Sequence, residues 1–171
     1  MNFTFCPPKN LTDLESKTFP DGKRYYTLPD GTRLPSVTTV LGAHPEKKAI
    51  IAKWRERVGN EEANRISKKA SNRGTKLHNT VEKYLLNEVS PLQMQTMMPD
   101  TKELFLKLKP FLDEHVNNIY GIEQALYSHK LRLAGRCDCI GEWDGKISII
   151  DWKTASRTKE KESIANYFMQ A

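Results

Sequence analysis

Between Leu133 and Lys153 the chain reads Leu-Ala-Gly-Arg-Cys-Asp-Cys-Ile-Gly-Glu-Trp-Asp-Gly-Lys-Ile-Ser-Ile-Ile-Asp-Trp-Lys, and no other stretch restricts the fold as much. Asp144-Gly145 between two β-rich runs is the strongest local signal for a hairpin closed by a two-residue turn. With that turn, Trp143 faces Lys146 and the residue numbers of every facing pair sum to 289. Asp138 and Asp151 form such a pair, expected directly opposite each other on one face and roughly 5 Å apart. Two carboxylates so placed repel, and a bound hard cation such as Mg²⁺ removes the conflict. Lys153 follows Asp151 by two residues and falls on the same face, while Trp152 falls on the other. A bulge at Gly141 would shift the register by one and send Asp138 to the far face. The plain alternative is a polar hairpin whose charges simply face solvent.

Charge is the second constraint. The chain of 171 residues has 27 Lys/Arg against 21 Asp/Glu, a net charge of +6. Between Glu46 and Lys76 lie ten bases: Lys47, Lys48, Lys53, Arg55, Arg57, Arg65, Lys68, Lys69, Arg73 and Lys76. Four acids share that span (Glu46, Glu56, Glu61, Glu62), so ten minus four equals the whole net charge. A localised basic block suits a phosphate backbone; the competing reading is a solvated helix face with internal ion pairs. No apolar run reaches membrane-spanning length and no signal peptide is visible, so a cytoplasmic protein is expected. Three cysteines (Cys6, Cys137, Cys139) make no disulfide framework and too few ligands for a four-cysteine iron–sulfur cluster, leaving plain thiols.

In chain order, Met1 to Pro20 reads as a surface meander. Arg24–Leu28 and Thr32–Leu34 read as a small hairpin about Pro29-Asp30-Gly31. Pro35 to Gly42 is open between a strand, which its β-branched content favours, and a short helix capped by Ser36 and stopped at Gly42. A helix opens at Pro45 and stops at Gly59; a second is capped by Asn60; a third carries Leu77, Val81, Tyr84 and Leu85 at helical spacing, with Gly74 as an open question. Pro91 to Pro99 reads as a loop. Asp100 is expected to cap a helix with Leu104, Phe105, Leu108, Phe111 and Leu112 inward and a kink at Pro110. Gly121 to Ser128 is the first strand of a three-strand meander, and Lys159 to Ala171 begins a last helix.

Asp138 with Asp151-Trp152-Lys153 resembles the metal-binding strands of the PD-(D/E)XK nuclease superfamily. Arg73-Gly74-Thr75-Lys76-Leu77-His78 resembles the motif that supplies a metal-binding His in RecB-like phage exonucleases and in the mitochondrial genome maintenance exonuclease family. Gln170 matches the first half of the Gln-x-x-x-Tyr motif of RecB-type enzymes. The resemblance implies an α+β fold, a PD-(D/E)XK nuclease-like core (α-β-β-β-α) with an N-terminal helical arch region. One domain is expected over 1–171, with a hairpin region at 1–45, a helical region at 46–118 and the catalytic sheet with its following helix at 119–171. Relatives continue past that helix, so the chain is expected to be a fragment, or to have its last layer missing or supplied by another chain.

The same resemblance implies Asp138, Asp151 and Lys153 as catalytic residues. Metal, Mg²⁺ or Mn²⁺, is expected on His78, Asp138, Asp151 and the Trp152 backbone carbonyl, with Glu123 as a weaker candidate whose alternative is a hydrogen bond to a basic neighbour; the imidazole widens tolerance toward Mn²⁺. DNA is expected on Lys47, Lys48, Lys53, Arg57, Arg65, Lys68, Lys69, Arg73 and Lys76, with Trp54 as a stacking surface or a core residue. His44, His115 and His129 are left structural. The expected function is a divalent-metal-dependent DNA exonuclease acting on single strands or ends, of the kind used in phage recombination, repair or replication. The alternatives are an endonuclease of the same fold and a non-catalytic nucleic-acid-binding module.

Overall fold

In the computed structural model, residues 2–8 and 11–155 are described. Their elements are β1 (Thr4–Phe5), β2 (Glu15–Thr18), β3 (Arg24–Thr27), β4 (Arg33–Pro35), α1 (Val37–Gly42), α2 (Pro45–Val58), α3 (Asn60–Leu85), α4 (Pro91–Thr96), α5 (Pro99–His115), β5 (Val116–Ser128), β6 (Leu133–Trp143) and β7 (Lys146–Ile150). They fall into two compact units. One holds the N-terminal strand, Lys69–Gln124 and the chain from Cys137; the other holds Thr12–Lys68 with Ala125–Arg136.

The first unit is built on a four-stranded sheet in the order β1-β5-β6-β7. β1 runs parallel to β5, and β6 pairs antiparallel with β7. The β6–β7 register is the one the Asp144-Gly145 turn dictates: Trp143 faces Lys146, Gly141 faces Ser148 and Cys139 faces Ile150. Asp144 and Gly145 adopt φ of 52° and 74°, as a two-residue primed turn requires. Gly141 is paired, with no slip. A Cβ there would stand 3.1 Å from the Asn118 carbonyl oxygen, so glycine lets neighbouring backbone approach.

Against this sheet α3 buries Leu77, Val81, Tyr84 and Leu85, and α5 buries Phe105 and Leu112; Cys139 and Trp152 complete the core. The α3 positions repeat at intervals of four, three and one, a stripe down one side of a helix. Each aliphatic side chain so buried contributes about 1.5–3 kcal/mol. Tyr84 donates to Asp113, which also takes Lys109, joining α3 to α5. Burial pushes the Cys137 thiol up to about 11 and that of Cys139 up to about 12, so both stay protonated.

The second unit contains the three-stranded sheet β2-β3-β4. Tyr26, Leu28 and Leu34 pack with Leu14, Ala125 and Ala134. Both hairpins of this sheet close on the same tripeptide, Pro20-Asp21-Gly22 and Pro29-Asp30-Gly31. In each, the Asp side chain accepts from the backbone two residues on (Lys23 N–H, 3.1 Å; Thr32 N–H, 2.8 Å) and Gly takes a positive φ of 79° or 83°. α1 is capped by Ser36, whose hydroxyl accepts from Thr39 N–H at 3.0 Å.

Several local expectations are corrected. Met1 to Pro20 is no meander, since β1 and β2 lie within it. All four β2 residues are exposed, so no apolar alternation marks the strand. The helices read on either side of Ala70 are one 26-residue helix that runs through Gly74 and starts after Gly59, whose carbonyl accepts from Ala63 N–H at 3.0 Å. Pro91 to Pro99 contains α4, held by a capping box in which Ser90 and Gln93 satisfy each other's backbone. α5 is capped at Met98 rather than Asp100, because Pro99 takes the first helical position. Phe111 is 54% exposed and stacks with His115 instead of facing the core. β5 begins at Val116, five residues before the expected start. The expected helix from Lys159 and Gln170 lie outside the described residues.

Candidate metal centre

Three elements of the first unit converge on Asp138. It sits in β6, only 8% exposed, and one carboxylate oxygen accepts the Trp152 backbone N–H at 2.9 Å. That bond ties the end of the hairpin to the strand opposite and fixes the carboxylate. The other oxygen lies 3.2 Å from Nδ1 of His78. His78 follows Leu77, and so borders the buried stripe of α3 while keeping its imidazole at the sheet. The hydrogen bond with Asp138 raises the His78 pKa above the ordinary value; burial opposes this, and the Asp138 charge adds to it.

The third element is β5, where Glu123 has φ of 49° within a strand. A left-handed non-glycine residue is uncommon, and such residues cluster at functional sites. Its carboxylate, an Asp138 oxygen and a His78 nitrogen all lie within 4.8 Å of one another. Glu123, the weaker candidate in the sequence, thus stands in the tightest ligand group among the described residues. The signal missed was conformational: nothing in Ile122-Glu123-Gln124 announces a positive φ.

Asp151 follows directly on β7 and is not part of that group; its carboxylate holds the Lys153 ammonium at 2.6 Å. Burial raises the Asp151 pKa, Lys153 lowers it, and the Asp138 charge raises it again. The β6–β7 ladder ends at the Cys139–Ile150 pair, so the expected facing pair of Asp138 and Asp151 lies one step beyond it. Trp152 contributes its N–H to Asp138, and its ring is buried in the core. Two carboxylates and an imidazole within reach of one another form a donor set that suits a divalent metal ion.

Beside these ligands is an open cleft of about 460 Å³ lined by Gly74, Thr75, His78, Asn79, Glu82 and Glu123. Thr75, Asn79 and Glu82 were not singled out in the sequence, although Thr75 and Glu82 lie three and four residues from His78 on its side of α3, and Asn79 lies four from Thr75 and three from Glu82. A Cβ on Gly74 would lie 3.7 Å from the Thr154 hydroxyl, so the mid-helix glycine faces the chain just after Lys153.

Of the basic residues, Lys47, Lys48, Lys53, Arg57, Arg65, Lys68, Lys69 and Lys76 are exposed. Arg65 is engaged by Glu62 through two hydrogen bonds of 2.7 Å. Arg73 is half-buried, and its Nε has no hydrogen-bond partner among the described residues. α2 buries none of its residues; Trp54 is half-buried, and Ile50 is 69% exposed.

The chain is similar to mitochondrial genome maintenance exonuclease 1 of Mus musculus, at 25% identity over 133 residues, and to that of Homo sapiens, at 24% over 132. Each alignment covers 74% of this chain and 38% of the relative, so the chain spans well under half the length of these proteins. Residues 44–171 match the PD-(D/E)XK nuclease superfamily, a span that includes His78, Glu123 and the whole β6–β7 hairpin. With its mixed sheet and helices, the chain belongs to the PD-(D/E)XK nuclease superfamily.

Proposed function

We propose that the chain is a divalent-metal-dependent DNA exonuclease that hydrolyses phosphodiester bonds on single strands or at DNA ends. The observation that carries this reading is the convergence of His78, Glu123 and Asp138 within 4.8 Å, next to a Lys153 held by Asp151. The exonuclease names of the two mitochondrial relatives support it. So does the localised basic charge of α2 and α3.

In this reading His78, Glu123, Asp138 and Asp151 hold the metal. When bound, the cation supplies Lewis acidity toward a phosphoryl oxygen and acidifies a coordinated water. Asp138 is pre-oriented by the Trp152 N–H, so no reorganisation is needed as charge develops. Lys153, already paired with one carboxylate at 2.6 Å, presents its remaining N–H donors to the attacking water or to the phosphate. The exposed lysines of α2 and α3 provide contacts to phosphates that read no bases.

The test is digestion of linear and circular single- and double-stranded DNA in Mg²⁺, Mn²⁺ or EDTA. Linear strands are expected to disappear only with metal, while circles persist. Asp138→Asn and Asp151→Asn should each abolish cleavage, and Lys153→Ala should still bind DNA while losing turnover. Activity in EDTA would remove the metal reading; equal loss of circles would favour the endonuclease; binding without any cleavage would leave a binding module.

A further inference from the structure

The outer face of the β2-β3-β4 sheet carries an open pocket of about 510 Å³ lined by Phe19, Pro20, Asp21, Tyr25 and Arg33. This lies within the roughly 300–1,000 Å³ range of small-molecule sites. The sheet precedes residue 44, where the superfamily match begins.

Register explains how the pocket arises. Tyr26 faces Leu34 and both point into the core, so Tyr25, flanked by Lys17 on β2 and Pro35 on β4, points outward. Arg33 shares that outer face, opposite Thr27. Phe19 follows β2 at the first turn and is fixed twice: its N–H donates to the Lys23 carbonyl and its carbonyl accepts from Gly22 N–H, each at 2.9 Å. The Phe19 and Tyr25 rings meet edge to face, with centroids 5.7 Å apart. The Lys17 ammonium lies 5.7 Å from the Phe19 ring centroid, within cation–π reach. Asp21, the one acid lining the pocket, pairs with Lys23 at 2.9 Å. Lys17 and Arg33 have no acidic partner among the described residues. The walls are therefore aromatic, and on the outer face the two cations Lys17 and Arg33 outnumber Glu15, the exposed acid two residues before Lys17 and opposite Thr27.

We propose that this pocket holds one base of a single-stranded nucleic acid, stacked on Phe19 or Tyr25, with Lys17 and Arg33 on its flanking phosphates. The proposal rests on the nuclease reading above and assigns its substrate strand a second point of contact. A flat unpaired base offers a face to the rings, whereas bases within a duplex are covered by their neighbours. A proline-rich peptide would also suit aromatic walls, but it has no use for two unpaired cations.

The test uses the full chain in EDTA with an oligodeoxynucleotide carrying 5-iododeoxyuridine. Irradiation is expected to attach the strand to the tryptic peptides Thr18–Lys23 or Tyr25–Arg33. Tyr25→Ala should weaken binding of single strands roughly 5- to 100-fold, the effect of one lost stack. Because Tyr25→Ala removes packing as well, Lys17→Glu with Arg33→Glu provides a variant that leaves both rings in place, and it should weaken binding too. Normal affinity in both variants, with attachment only elsewhere, would overturn the pocket and leave the nuclease reading standing. Perturbation of Tyr25 by an oligoproline but not by the oligonucleotide would also overturn it. A wild-type chain that neither binds nor cuts DNA would instead remove the reading on which the proposal rests.

Discussion

Glu123 shows how a single backbone angle decides a site. A non-glycine residue at φ of 49° costs on the order of 1–3 kcal/mol, and nothing about the strand requires it. The strain is repaid in function if the carboxylate belongs to the ligand group. Two substitutions separate the contributions, because both Glu123→Gly and Glu123→Ala remove the carboxylate but only glycine relieves the strain. Without metal, Glu123→Gly should therefore be more stable than Glu123→Ala by about 1 kcal/mol in urea unfolding. Both should lose most of the rise in melting temperature that Mg²⁺ gives the wild type. Equal stability of the two variants would place no strain at this position. The placement of Asp138 was legible because strand alternation and a two-residue turn fix its register, whereas Asp151 and Lys153 lie past the end of β7, where alternation no longer sets direction. Glu123 was barely legible, since a left-handed backbone angle depends on what packs around it.

Elements with strong local chemistry were read correctly, and those held by partners far away in sequence were not. Pro45 opening α2 and the Asp144-Gly145 hairpin each carry their own turn or cap, whereas the Ser36 cap competed with the β-branched pull of Val37-Thr38-Thr39-Val40 toward a strand. β1 has no such signal: it is two residues long and exists through parallel pairing with β5. β2 did announce itself through Pro20-Asp21-Gly22, the tripeptide that correctly marked the next turn, but its four exposed residues lack the alternation that makes a strand visible. Close approach within the sheet gives a further expectation. Gly141→Ala would drive a Cβ toward the Asn118 carbonyl, 3.1 Å away, and toward Cys139 Sγ at 3.4 Å. Overpacking of this kind should cost about 1–3 kcal/mol, measured by urea unfolding. The α3–α5 link predicts a pH dependence. Burial raises the Asp113 pKa, but the Lys109 and Tyr84 hydrogen bonds more than offset this and leave it below the usual carboxylate value. A carboxylate depressed in the folded state contributes stability above about pH 4, lost as pH falls through the folded value. Melting temperature should thus fall on acidification, and less so in Asp113→Asn. Tyr84→Phe should cost about 1.5–3 kcal/mol at neutral pH, the worth of a hydrogen bond to a charged group.

Over the whole chain, charge separates the span from Glu46 to Lys76 from everything else: the entire +6 resides there, and the remaining acids and bases cancel. Not every cation in that span is equally available. Arg65 is held by Glu62 in a two-bond pair at 2.7 Å, so an approaching phosphate must compete with a carboxylate already in place. Lys68 and Lys69, one turn further along the same helix, are exposed and have no acidic partner among the described residues. Neutralising a phosphate releases condensed counterions, and on single strands each contact contributes about −0.7 to the slope of log affinity against log salt. Lys68→Glu with Lys69→Glu should therefore weaken binding of every sequence and make the slope shallower by about 1.4, with metal dependence unchanged. Arg65→Ala should change the slope much less, since its charge is already compensated. Fluorescence anisotropy of a labelled single strand over a salt titration in EDTA measures both. A slope unaltered by the double reversal would show that the basic block of α3 faces solvent rather than nucleic acid, and the strand would then have to be held elsewhere.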